Sequence, residues 1–188
     1  MILPIYAYGE PTLRSETIEI QRSFPHLEEI IKNMWDTMYH TNGVGLAAPQ
    51  VGLSIRLFVV DSTEMYKDEE DENPGTGIKK VFINPSIISE SGHEWEYEEG
   101  CLSIPGIREF VTRKSDIKIR YYDENFQTQT DEYDGLTARV IQHEFDHIEA
   151  ILFVDKISSL KRQLNRNKLL QISRGFVDVK YRMKFTRR

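Results

Sequence analysis

The 188-residue sequence predicts an α+β fold: antiparallel strands around a central helix, with an amino-terminal helix, a C-terminal helix and a terminal strand. Three observations carry that prediction. Segments 25–41 and 135–149 repeat apolar residues at the helical spacing of i, i+3, i+4 and i+7. Segments around Trp95, Ile117 and Val177 alternate apolar with polar residues, as half-buried strands do. The turn Asp123-Glu124-Asn125 between two strand-like runs signals a hairpin, so pairing is antiparallel.

The first helix runs from about Pro25 to Thr41, with Leu27, Ile30, Ile31, Met34, Trp35 and Met38 on one stripe, and Asn42-Gly43 stops it. A small-residue loop follows, Gly43 to Gln50, and then Ile55–Val60 reads as a buried strand. Residues 64–77 are rich in Asp, Glu, Pro and Gly, too polar to pack, and read as a solvated surface loop. Val81–Ile83 and Ile87–Ile88 flank Asn84-Pro85 and suggest a strand, a break and a strand. Trp95 and Tyr97 lie on a half-buried strand that feeds into Gly100-Cys101, and Ile117–Tyr121 with Phe126–Thr130 form the hairpin. Helices over about 135–149 and 159–173 come next, the latter stopped by Gly175. Val177, Val179, Tyr181, Met183 and Phe185 alternate with polar residues as a terminal strand.

The length suits one domain, 1–188, of which 156–188 is a basic helix-plus-strand extension. The single cysteine excludes an internal disulfide framework. No apolar run approaches the roughly 18 residues of a membrane span, and Met1–Tyr6 lacks the basic start of a signal peptide. A soluble cytoplasmic enzyme is expected, with no membrane and no DNA contact. The net charge of −6 is unevenly placed: residues 1–155 hold 13 Lys and Arg against 29 acids, residues 156–188 hold 11 against one. The basic segment is either a solvated helix and tail or a contact for a polyanion.

Residues 143–147 read His-Glu-Phe-Asp-His. Two histidines at i and i+4 share a helix face and can point at one metal ion. On a helical wheel His143, His147, Leu136 and Val140 share one sector, Ile141, Phe145, Ile148 and Leu152 lie beside it, and Arg139, Gln142, Asp146 and Glu149 form the polar arc. The histidines therefore lie on a side lined by apolar residues. A catalytic site needs a third protein ligand. No His follows His147, and Glu149, Asp155 and Asp178 lack the spacing that endopeptidases with this motif use. Cys101 is the candidate, although spacing alone leaves it equally a buried structural thiol.

Three segments then line up with one family. Gly43-Val44-Gly45-Leu46-Ala47-Ala48-Pro49-Gln50, Glu99-Gly100-Cys101-Leu102-Ser103 and Gln142-His143-Glu144-Phe145-Asp146-His147 resemble, in order, the G-x-G-x-A-A-x-Q, E-G-C-L-S and Q-H-E-x-D-H motifs of peptide deformylases. The resemblance runs to about Asp155. It departs at Ala150, where the family usually has Gly; if that backbone needs a positive φ, Ala costs roughly 1 kcal/mol. It is silent on the terminal strand, so deletion of 176–188 is expected to spare small-peptide turnover.

The resemblance implies one divalent metal ion held by Cys101, His143 and His147, with the fourth position left to water. It implies ferrous iron, with zinc, nickel or cobalt as substitutes, whereas a Cys-His-His set alone reads as zinc. Glu144 suits the general base, or is a structural acid beside the ligands. The resemblance assigns the Gln50 amide and the Leu102 N–H to the oxyanion, and pairs Gly45 with the substrate backbone. Val44, Leu136 and Val140 are expected to wall a methionine pocket. The implied reaction removes the formyl group from formyl-methionyl nascent polypeptides, with a ribosome contact through Lys161, Arg162, Arg166 and Lys168. The competing readings are a zincin-type metallopeptidase, which lacks its downstream ligand, and a ribosome- or RNA-binding module without catalysis.

Overall fold

The structure, a computed structural model, describes residues 1–66 and 77–186. In chain order the elements are β1 (Ile5–Tyr6), α1 (Leu27–His40), β2 (Gly45–Ala47), β3 (Leu57–Asp61), β4 (Lys79–Cys101), β5 (Ile104–Tyr122), β6 (Thr128–Asp134), α2 (Gly135–Ile148), α3 (Ser159–Ser173) and β7 (Met183–Lys184). Strands β2 to β6 form one antiparallel sheet in sequential order, and β1 pairs in parallel with β7. The fold is thus α+β. Most of the acidic loop expected over 64–77 lies outside the described residues; its start, Thr63–Tyr66, is a 3-10 turn.

The continuous apolar run of β3 has a simple cause: both faces of the sheet are covered there. Leu57 and Val59 of β3, with Val81 and Ile83 of β4, pack under α1 through Ile31, Met34 and Met38. Phe58, Val60 and Phe82 point to the opposite face and pack with Ala138, Val140, Ile141 and Ile148 of α2. Side-chain alternation along each strand therefore feeds two cores. A third cluster joins Leu169 and Ile172 of α3 to Ile104, Ile107, Val111 and Phe153.

Three sequence expectations change. The Gly43–Gln50 loop contains the short strand β2 and a 3-10 turn, Ala48–Val51. The break at Asn84-Pro85 is a bulge within one long strand: Asn84 adopts φ 46° and its side-chain amide pairs with both backbone groups of Ile20. Asn tolerates this left-handed conformation, so the strand bends without ending. The terminal strand keeps its alternation of half-buried and exposed residues from Val177 to Phe185, but only Met183 and Lys184 enter a ladder. Their partner strand begins after Pro4, which has no N–H to donate.

Candidate metal centre

Strand β4 ends at Cys101, and a two-residue turn, Leu102-Ser103, leads to β5 with Cys101 paired to Ile104. Helix α2 crosses this turn with His143, Glu144 and His147 on its third and fourth turns. The ligand atoms of Cys101, His143 and His147 lie within 4.8 Å of one another, and Cys101 Sγ is 3.3 Å from His147 Nε2. A tetrahedral site with metal–sulfur and metal–nitrogen bonds of about 2.3 and 2.0–2.1 Å has edges of roughly 3.3–3.6 Å between its donors. The sulfur–nitrogen distance is such an edge. The donor set, two imidazoles and one thiol with no downstream carboxylate, fits a divalent ion.

Charge favours a cation at the same point. Burial opposes protonation of His143, but the Cys101 sulfur and Glu99 outweigh it and hold its proton affinity well above an ordinary imidazole. Burial pushes His147 the other way, with His143 and Arg113 adding to it. Glu99 Oε2 lies 2.9 Å from His143 Nδ1, which leaves the other ring nitrogen free for the centre. Burial pushes the Glu144 carboxyl up to about 7, moderated by His143. Glu144 Oε2 is buried and has no hydrogen-bond partner among the described residues, and neither has His147 Nδ1.

A cavity of about 430 Å³ opens onto this point, lined by Val44, Gly45, Gln50, Leu102, Val140 and Glu144, with Cys101 and His143 at its floor. Met65, Tyr97 and Tyr181 add apolar wall. The lining does not reach Leu136, half-buried in the first turn of α2, or His147, which stands behind Cys101. Gln50 is oriented by its own loop: its Oε1 accepts the Ala47 N–H at 2.7 Å, so Nε2 faces Cys101 Sγ at 3.4 Å. Gly45 must be glycine. A Cβ there would stand 2.5 Å from Glu144 Oε1.

The polar arc of α2 is not a solvent face. Arg139, Gln142 and Asp146 are all buried. Arg113 of β5 bridges Glu99 (2.7 and 2.9 Å) and Asp146 (2.7 Å). Arg139 reaches Glu99 at 3.0 Å and the Val111 and Trp95 carbonyls, and Gln142 reaches Glu90. Burial alone would raise the Glu99 carboxyl; hydrogen bonds from Arg113 and His143 win and hold it far below its usual range. Neither Glu99 nor Arg113 is among the site residues expected from the sequence. The signal for Glu99 was its place two residues before Cys101; nothing local marked Arg113.

The family description for polypeptide deformylase matches residues 2–163. A peptide deformylase of Christiangramia forsetii is 55% identical over 98% of this chain and 96% of its own length. One of Flavobacterium johnsoniae is 52% identical over the same shares. A solved peptide deformylase from Legionella pneumophila superposes with a TM-score of 0.79 at 37% identity, covering 94% of this chain and 98% of that one. Fold, donor set and sequence likeness agree, and the chain belongs to the polypeptide deformylase family, metal-dependent hydrolases that remove N-terminal formyl groups.

Proposed function

We propose that this chain deformylates formyl-methionyl nascent peptides in the cytoplasm, with Cys101, His143 and His147 holding one divalent ion, ferrous iron in the cell and replaceable by zinc, nickel or cobalt. When bound, the ion supplies Lewis acidity, which makes water a competent nucleophile near neutral pH. Glu144 Oε2 receives the proton that the water gives up and returns it to the leaving amine, so formate departs from a free N-terminus. A carboxyl raised to about 7 by burial is matched to that exchange. As the formyl carbonyl is attacked, its oxygen gains charge; Gln50 Nε2 and the Leu102 N–H are the donors aimed at it. Gly45 offers its backbone to the peptide, and Val44 and Val140, which line the cavity, flank the methionine side chain; Leu136, expected beside them, stands outside that lining.

The observation that carries this reading is the buried Glu144 Oε2, without a partner among the described residues, in a residue that lines the cavity together with two of three mutually close metal-type donors, Cys101 and His143. The basic segment extends the proposal to the ribosome. Lys161 and Arg162 are tied to Glu109 and to the Val154 and Asp155 carbonyls, and the exposed Leu160 and Leu164 lie beside them on α3.

The test is Glu144→Ala. The expected protein keeps one metal per chain and loses formyl-methionyl peptide hydrolysis by about 10²–10⁴-fold. Undiminished turnover would remove Glu144 from the reaction.

A further inference from the structure

The turn that carries Leu102 is held from outside its own hairpin. Leu102 and Ser103 are its two central residues, and neither has a positive φ. It is therefore not one of the two-residue turns whose twist matches antiparallel strands, which need a positive φ at the first central position; other types splay the strands. The pairing is disturbed here as well. Gly100 pairs with Arg108, yet Cys101 pairs with Ile104, so Pro105, Gly106 and Ile107 bulge out of β5. Three remote groups take the carbonyls this irregularity exposes. The Tyr8 N–H donates to the Ser103 carbonyl at 2.8 Å, Lys168 Nζ on α3 donates to the Gly106 carbonyl, and Tyr181 OH donates to the Leu102 carbonyl at 2.9 Å.

Tyr8 and Tyr181 flank the small sheet made by the two ends of the chain. Ile5 pairs with Met183 and Tyr6 with Lys184, and Ile5 N–H and Ala7 N–H donate to the Arg182 and Lys184 carbonyls at 2.9 Å. This sheet leaves Tyr181 half-buried, with its ring in the wall of the substrate cavity and packed with the core that includes Leu46 and Met38. Burial pushes its phenol up to about 12, so the hydroxyl remains a donor at any working pH.

We propose that Tyr181 is a positioning residue for deformylation: by holding the Leu102 carbonyl, it fixes the turn so that the Leu102 N–H keeps its aim at the developing oxyanion. The proposal rests on the reading of that N–H as an oxyanion donor. Fixing the Leu102 carbonyl fixes the peptide plane on one side of Leu102, and the Cys101–Ile104 pair restrains the other. It also runs against the expectation that residues 176–188 are dispensable for small-peptide turnover, because the tail supplies this hydroxyl.

The test is Tyr181→Phe in the full-length, metal-loaded chain, with kcat and KM measured on a formyl-methionyl peptide, metal counted per chain and the thermal midpoint recorded. Loss of an oxyanion donor costs about 10²–10³-fold in kcat, and a donor left in place but loosened should cost less, about tenfold. The expected result is that drop in kcat with KM within about twofold, unchanged metal content and a midpoint within a few degrees, the pattern of an interaction made only in the transition state. A kcat within twofold of the parent overturns the proposal. So does a fall in metal content parallel to the fall in kcat, which would assign Tyr181 to the metal site's integrity alone. Glu144→Ala assayed alongside separates the two readings: an inactive Glu144→Ala beside an unimpaired Tyr181→Phe removes only the positioning role, whereas an active Glu144→Ala removes the catalytic reading itself.

Discussion

Asn42, Ala150 and Gly175 each follow the end of a helix with φ of 54°, 58° and 84°. In all three the next two N–H groups turn back onto the last carbonyls. After α2, Ala150 N–H donates to His147 and Ile151 N–H to Asp146, and the same pattern follows Tyr39 and Met38 in α1 and Ile172 and Gln171 in α3. Gly and Asn occupy this left-handed position readily; Ala is strained there by about 1–2 kcal/mol. The conformation survives at Ala150 because its surroundings hold it: Arg14 Nη1 donates to the Ala150 carbonyl at 3.0 Å and Thr17 Oγ1 to the Ile148 carbonyl at 2.7 Å. Ala150→Gly removes the strain but frees the unfolded chain, which offsets about half of the gain. A net stabilisation of about 0.5–1 kcal/mol is expected, a rise of roughly 1–3 °C in thermal midpoint for a chain of this size. Turnover should not change, since no group lining the cavity is touched. A lower midpoint for Ala150→Gly would mean that the left-handed turn carries no strain.

At the level of elements, α2 is joined to the β4–β5 hairpin by charge as much as by apolar contact. Arg113 sits between Glu99 of β4 and Asp146 of α2 with side chains 4%, 4% and 10% exposed. Since Glu99 also holds His143, the same cluster that fastens helix to hairpin sets the imidazole's direction. Replacing Arg113 with Leu leaves Asp146 to Lys156 at 3.3 Å and Glu99 to Arg139, so part of the charge stays compensated. Breaking a buried pair on one side costs about 3–5 kcal/mol, and with this compensation a loss of about 3 kcal/mol in urea unfolding is expected for Arg113→Leu. A loss under 1 kcal/mol would show that the pair is not what fastens α2. This cluster also explains where the sequence was opaque. The histidine helix, α1 and the histidine spacing were readable, because their signals are local, whereas spacing left Cys101 open between ligand and structural thiol, and the family motif implied the ligand role. The first half of β5 was not. Its inward positions run Val111, Arg113, Ser115, Ile117, Ile119 and Tyr121, and a buried Arg and Ser interrupt the apolar alternation that marks a strand. The partners of Arg113 lie 14 and 33 residues away, so no window along the chain shows why its burial is tolerated. Tyr181 was seen only as one member of an alternating tail, and its contact is 79 residues distant.

Across the whole molecule, the amino-terminal segment is a strap over the end of α2. Ile18 bridges Ile55, Ile20 pairs with Asn84, Thr17 takes the Ile148 carbonyl, and Arg14 makes a two-pronged pair with Asp155 at 2.5 and 3.0 Å. Asp155 also accepts the Leu152 N–H at 2.8 Å, so one carboxylate fastens the strap and shapes the turn that leads to α3. Burial works against its ionisation, but the bonds from Arg14 and Leu152 outweigh burial and hold its carboxyl below the ordinary range. A carboxyl lower in the folded than in the unfolded state adds stability above its unfolded value of about 4, and that stability drains away as pH falls through the folded value. The side chains of Arg14 and Asp155 are 43% and 30% exposed, so solvent and salt screen the pair and its share is at most about 1 kcal/mol. Asp155→Asn keeps an acceptor for Leu152 but removes the charge. Its urea midpoint should fall below the parent's at pH 7, the gap should narrow as pH drops from 5 toward 3 and the parent's own carboxylate is protonated, and added salt at pH 7 should shrink it too. A gap that stays constant or widens toward acid would mean that Asp155 holds the strap through its shape and hydrogen bonds and not its charge.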